Sequence, residues 1–277
     1  MEIKSVITGK GRVEYSVTGE GKPVLFLHGG HSNCRETLFH KGFDIRRHQL
    51  VTPSRPGYGN TPLNGNCTPR KTADLIISLM DYLHIEKTVI YGISAGGLTS
   101  LELAGNYPER VEKLVLASAV TQKWLRPTDN VYKAARGLFN PACEKFVWGG
   151  VRAISALSPA LIARSFHSQF SKAARHGWAQ DEIAELTALF AHFSSQKGFL
   201  CDIDHDIDDN LLAAISCPTL IVHSRNDNSV PFEHARHANE QIRNSTLCEL
   251  NNKWGHLFWI GRDSQEAIRH IMEFIDS

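Results

Sequence analysis

The residues best suited to chemistry lie in Gly92-Ile93-Ser94-Ala95-Gly96. Residues 88–91 form a short apolar, β-branched run of the kind found in buried strands. Downstream, Leu98, Leu101, Leu103 and Ala104 fall at helical spacing. So few residues remain between strand and helix that the central one is forced into a strained backbone conformation. The flanking glycines then avoid collisions with the neighbouring elements. The outcome is a serine hydroxyl raised at the carboxyl end of a strand, beside the first amides of a helix. This is the G-x-S-x-G nucleophile-elbow pattern. A serine hydroxyl is a poor nucleophile until a base takes its proton during attack, and the oxyanion that forms needs fixed donors. The rest of the chain must therefore supply a base, an acid that orients it, and an oxyanion hole.

The surrounding sequence predicts the elements that hold such a site. Residues 3–8 and 12–17 alternate about Gly9-Lys10-Gly11 as a hairpin, and residues 24–27 form a wholly apolar central strand running into His28-Gly29-Gly30. Ser32 or Asn33 is positioned to cap a helix reaching about residue 48. A strand at 50–52, a turn-rich Arg55-Pro56-Gly57-Tyr58-Gly59 loop, a helix over 70–84 and a strand over 111–117 follow. From 121 to 205 only helical spacing is seen, broken by prolines. The rhythm then returns with a short helix at 211–215, a strand at 219–223, a helix from Pro231, a strand at 246–250 and a helix over 264–275. The fold class read from this pattern is α/β, with a mostly parallel sheet, helices on both faces and a helical insert. The core comprises residues 1–120 and 206–277, and the insert residues 121–205.

The order of hairpin, His28-Gly29-Gly30, Arg55-Pro56-Gly57-Tyr58-Gly59, elbow, insert, Asp227 and His256 resembles the α/β-hydrolase superfamily. More narrowly, it is similar to the small bacterial serine esterases and related hydrolases with a helical cap. That resemblance implies the chain order nucleophile, acid, histidine. Ser94 matches the nucleophile. Asp227 matches the acid in Asp227-Asn228-Ser229-Val230-Pro231, and His256 in Trp254-Gly255-His256-Leu257 matches the base. The implied oxyanion hole is the backbone amides of Ala95 and Gly30, with His28 bracing the glycine loop. Two positions depart from the pattern: Asn226 in the acid's turn, and Ser54 where many members carry aspartate. The implied activity is hydrolysis of a carboxylic ester of a small or medium apolar acid, without a cofactor. Lactonase, carbon–carbon hydrolase, perhydrolase and ligand-binding receptor readings share the same residues. The insert is expected to lie over Ser94 as a lid, with His31, Trp124, Phe146, Trp148 and Leu257 lining the substrate pocket.

Composition narrows the class further. The chain has 277 residues, 42% of them hydrophobic, and a formal charge of +1, so nothing global points to nucleic acid. No apolar run approaches spanning length, and Met1-Glu2-Ile3-Lys4 lacks the apolar core of a signal peptide, so the expectation is a cytoplasmic monomer or homodimer without stable membrane insertion. Six scattered cysteines without a C-x-x-C pair are expected to be reduced thiols. The acidic residues of segment 202–209 read as solvated carboxylates, with Asp208 or Asp209 capping a helix rather than binding metal. His234, His237 and Glu240 read as a solvated helix face. Trp254 reads as packing. Charge is uneven: residues 121–180 hold nine basic and two acidic side chains. These are expected to form an outer face of the lid, with its aromatics turned inward; drawing in anionic esters or an anionic surface is the sharper alternative.

Overall fold

The computed structural model describes residues 1–174 and 177–277. Arg175, one of the nine basic residues of the insert, lies outside the described residues. The chain opens with the hairpin β1 (Glu2–Thr8) and β2 (Gly11–Thr18), followed by β3 (Lys22–Leu27), β4 (His48–Pro53), α1 (Pro69–Tyr82), β5 (Thr88–Ile93), α2 (Gly97–Asn106) and β6 (Val111–Ala117). Five helices come next: α3 (Asn130–Leu138), α4 (Glu144–Leu157), α5 (Pro159–Phe170), α6 (Gln180–Ala191) and α7 (Gly198–Asp202). The chain closes with α8 (Asp209–Ala214), β7 (Thr219–Ser224), α9 (Glu233–Gln241), β8 (Ser245–Leu250) and α10 (Ser264–Asp276).

The eight strands form one sheet in the order β1-β2-β4-β3-β5-β6-β7-β8. Among the strand pairs of the described residues, only those of β2 with β1 and β4 are antiparallel. The period-two geometry of strands divides the core cleanly. Leu25, Leu27, Ile90, Leu114, Leu116 and Ile221 face a layer built by α1, α2, α8 and α9. Their neighbours Val24, Phe26, Val89, Tyr91, Val115 and Val222 face α10, Phe258 and Trp259. Both faces are covered, which is why these strands read as continuous apolar runs rather than alternating ones. Among the described residues no helix is long and apolar enough to cross a membrane.

Four expectations are corrected here. The helix expected from Ser32 or Asn33 to residue 48 is absent; only a 3₁₀ turn, Leu38–His40, forms. Local side chains capture the backbone instead. The Asn33 side-chain oxygen accepts from the Arg35 amide at 3.0 Å, and Glu36 accepts from the amides of Thr37 and Leu38 at 2.9 and 2.7 Å. The cysteines are not all reduced, because Cys67 and Cys201, 134 residues apart, form a disulfide. Folding brings α7 against the loop preceding α1, a proximity that sequence spacing does not encode.

The aspartate run is not uniformly solvated. Asp202 is buried and grips the Arg55 guanidinium with both oxygens, each at 2.7 Å. Asp208 does cap α8, accepting from the Asn210 amide. Finally, His234 is buried rather than solvated; its Nδ1 accepts from the Thr121 amide at 3.1 Å, so it ties α9 to the chain leaving β6.

Candidate active site

The sharp turn after β5 holds Ser94 at φ 49°, the left-handed region that a β-carbon disfavours. Gly96 makes the turn feasible, since a side chain there would overlap the Leu27 carbonyl oxygen. Ser94 therefore stands at the carboxyl end of a central strand, where doubly wound sheets bind ligands. Its Oγ lies 3.0 Å from His256 Nε2, and His256 Nδ1 donates to Asp227 Oδ2 at 2.7 Å. These three residues come from three separate loops, after β5, β7 and β8, at the carboxyl ends of the strands, and all are buried.

Asp227 is 0% exposed, yet it is fully satisfied. Oδ1 accepts from the amides of Ser229 and Val230, both at 2.8 Å. Oδ2, besides receiving His256, lies 3.1 Å from Nε2 of a second histidine, His223, which also bonds the Val230 carbonyl at 2.9 Å. Burial alone would push the Asp227 carboxyl up, but the charge of His256 and the bonds from His223 and His256 outweigh it and hold it at about 2. His223 was not singled out from sequence. Only its place four residues before Asp227, at the end of the same strand, hints at it.

The glycine loop runs alongside Ser94. A β-carbon on Gly29 would sit 3.0 Å from Ser94 Cβ, and one on Gly30 would sit 3.0 Å from the Phe199 ring. Ala95 is the second residue of the 3₁₀ turn Ser94–Gly96 that leads into α2, so its amide belongs to the first turn of a helical segment. His28 braces the loop: Nδ1 donates to the Gly29 carbonyl at 2.8 Å and Nε2 accepts from the Arg55 amide at 2.9 Å. Burial, and then the adjacent Arg55 charge, push His28 down to about 3, so the neutral ring keeps that donor–acceptor pattern. Ser54, at the position that departs from the family pattern, donates to the buried carboxylate of Glu14 at 3.0 Å. Asn226, the other departure, is held by Asn251 and by the Asn252 carbonyl.

Of the five pocket residues expected from sequence, four lie at the junction of insert and core. His31 bonds Ser195 Oγ at 2.7 Å and packs on Phe199, with ring centres 3.9 Å apart. Trp148 donates to the same Ser195 Oγ at 2.7 Å. Trp124 donates to the Ser229 carbonyl, two residues beyond Asp227, and meets the edge of Phe199. Leu257 is buried beneath the insert with Trp254 and Phe190. Phe146 is the exception. It is 82% exposed, because α4 turns Trp148 inward and Phe146, on the opposite face, outward. Two further aromatics approach the site: Phe170, whose ring lies parallel to His256 at 6.2 Å, and Phe199. Phe170 belongs to the aromatic content already noted in the insert, whereas Phe199 carries no sequence signal.

Chemically, the arrangement offers a hydroxyl hydrogen-bonded to an imidazole and an anionic carboxylate on the far ring nitrogen, with the glycine loop alongside. Such a chain can shuttle a proton. Among the described residues no three His, Cys, Asp or Glu side chains converge as a metal site.

The chain is similar to known proteins in sequence and in fold. The uncharacterized hydrolase YcgS of Bacillus subtilis (strain 168) is 37% identical over 281 residues, covering 99% of both chains. An alpha/beta hydrolase fold protein from Nakamurella multipartita superposes with a TM-score of 0.79 at 24% identity over 99% of both chains. A thermophilic esterase from Thermogutta terrifontis does so with a TM-score of 0.73 at 22% identity, over 100% of this chain and 98% of that one. The profile of the Alpha/beta hydrolase family matches residues 24–268, and the chain belongs to that family.

Proposed function

We propose that this hydrolase cleaves carboxylic esters of small to medium apolar acids through an acyl-enzyme on Ser94. The observation that carries the reading is the hydrogen-bonded chain from Ser94 Oγ through His256 to Asp227, at 3.0 and 2.7 Å. In this mechanism His256 Nε2 takes the Ser94 proton as Oγ attacks the ester carbonyl. The oxyanion is held by the amides of Ala95 and Gly30, and the protonated imidazole then gives its proton to the departing alkoxide. Water enters, His256 removes its proton, and the acid leaves with Ser94 restored. Asp227 keeps Nδ1 protonated and balances the transient imidazolium.

Residues 121–205 act as the cap that selects substrate. Phe170 lies parallel to His256, Phe199 packs against the glycine loop at Gly30 and Trp124 bonds the loop of Asp227, and these apolar rings favour an apolar acyl group over a charged one. The test is steady-state hydrolysis of p-nitrophenyl esters of increasing acyl length beside matched lactones. Many turnovers per protein on short to medium esters are expected, with Ser94→Ala lowering kcat by roughly 10³-fold or more. A single acyl group released per molecule, or turnover confined to lactones, contradicts the reading.

A further inference from the structure

Near the end of β7 stands a histidine that takes no part in the proton transfers of Ser94 and His256. His223 is 1% exposed, and its Nε2 lies 2.9 Å from the Val230 carbonyl and 3.1 Å from Asp227 Oδ2. Both neighbours can only accept, since one is a carbonyl and the other an ionised carboxylate. Nε2 therefore carries the ring's proton and shares it between them. Nδ1 is buried and, among the described residues, has no hydrogen-bond partner. A second proton on that nitrogen would find no acceptor, which is costly away from water. The surroundings thus select one tautomer, with its single N–H beside the acid.

The oxygen that this N–H meets is the one that matters for catalysis. Oδ1 is taken by the amides of Ser229 and Val230, both at 2.8 Å. Oδ2 is the oxygen that receives His256 Nδ1 at 2.7 Å. A histidine that only fastened β7 to the following turn would need the Val230 carbonyl alone. Its approach to Oδ2 sets a second N–H dipole against the charge that His256 senses. A donor on a carboxylate stabilises the anion and weakens its hold on a neighbouring proton. The effect is strengthened where water is excluded, and Asp227 is wholly buried.

We propose that His223 is a positioning residue that sets the basicity of His256 through the carboxylate oxygen they share. The inference rests on the reading of Ser94 as the nucleophile. The shared N–H neutralises part of the Oδ2 charge, so the imidazolium of His256 is stabilised less than it would be beside a carboxylate with one donor fewer. The other charged groups around the pair are already committed. His234 of α9 accepts from the Thr121 amide, and burial drives it down to about 4, so it stays neutral where the base titrates. Glu249 of β8, in register with His223, is paired with Arg225. Glu233 and His237 of α9 are paired with Arg236 and Asp209. On its other side His256 meets Ser94 and the uncharged ring of Phe170.

The pH dependence of fluorophosphonate labelling at Ser94 tests the proposal, because it reads the base without depending on the ester chosen. The labelling rate climbs through an acid limb as His256 loses its proton. His223→Leu removes the N–H, and is expected to move that limb up by about 0.5–1 pH unit and to slow labelling at about pH 6 by roughly 3–10-fold. His223→Gln keeps an N–H at the place of Nε2, and should return the limb to within about 0.3 pH unit of the wild type. A histidine with a purely structural role would lower the melting temperature and leave the limb in place. In the intact protein, nitrogen-15 NMR should find the His223 proton on Nε2, a result that does not depend on any variant folding. An unmoved limb in His223→Leu, a limb displaced equally in His223→Gln, or a proton on Nδ1 overturns the inference. An intact protein that takes no label at Ser94 overturns the reading of the nucleophile, and this inference with it.

Discussion

Asp227 receives four donors while wholly buried, and each has a separate consequence. The two backbone amides fix its position, whereas His256 and His223 share Oδ2. Replacing it by asparagine retains the shape but offers an amide group toward a ring that must itself donate. His256 then turns to the wrong tautomer. Asp227→Asn is therefore expected to lower kcat for ester hydrolysis by roughly 10²–10⁴-fold with little change in KM, measured by steady-state kinetics on p-nitrophenyl butyrate. A variant with near-wild-type kcat would place the acid elsewhere. The convergence of Ser94, Asp227 and His256 was legible because each sits in a short motif whose backbone geometry constrains residue type. Phe199 was not, since its place against Gly30 depends on a helix more than 160 positions away along the chain docking on the loop. Phe146 misled because aromatic content gives no direction until the face of the helix is known.

At the scale of elements, the segment between β6 and β7 is fastened to the core beside the site, most firmly through the end of α5 and through α7. The end of α5 is stitched to the loop carrying Asp227: the Lys172 amide donates to Asn226 at 2.8 Å, and the Asn228 side chain donates to Ser168 at 2.6 Å. α7 is pinned by the Arg55–Asp202 pair, by the Tyr58 hydroxyl donating to Asp202 at 2.5 Å and by the Cys67–Cys201 disulfide. Burial would push Asp202 up, but Arg55 holds it below the usual carboxylate range. Removing the charge of Asp202 leaves a buried guanidinium unpaired, so Asp202→Asn should cost about 3–5 kcal/mol in urea unfolding. A loss within about 0.5 kcal/mol, the range of an ordinary surface change, would show that the pair is not buried in solution. This contact escaped the sequence because a run of aspartates looks solvated until one of them is seen opposite an arginine. The absent helix after Asn33 has a similar origin: Asn33 and Glu36 satisfy the local amides directly, and capping residues then favour a turn over a helix.

Across the whole molecule, the sheet was the most legible part, because β3, β5, β6 and β7 are buried on both faces and read as unbroken apolar runs. The polar interior was less so, and it sets the pH response. Burial drives His28 and His31 down to about 3, and His40 and His234 to about 4. An unfolded histidine titrates near 6.5. Below that pH the unfolded chain therefore binds protons that the folded chain refuses, and stability falls as pH drops. Each such group contributes up to about 1.4 kcal/mol per pH unit. Glu36, pushed up to about 7 by burial, and Glu102, also raised by burial, act in the opposite sense, but they are two groups against five, since burial lowers His205 as well. The urea midpoint is thus expected to fall from pH 7 to pH 5. A flat or rising midpoint over that interval would mean these histidines are not held neutral.

The measurement that bears most directly on the central claim is mass spectrometry after reaction with a fluorophosphonate. A single adduct on the peptide containing Ser94 is predicted, absent in Ser94→Ala at unchanged circular dichroism, because only a serine paired with a base attacks phosphorus at a useful rate. An adduct that persists in Ser94→Ala, or no adduct in the wild-type protein, would contradict the assignment of Ser94 as the nucleophile.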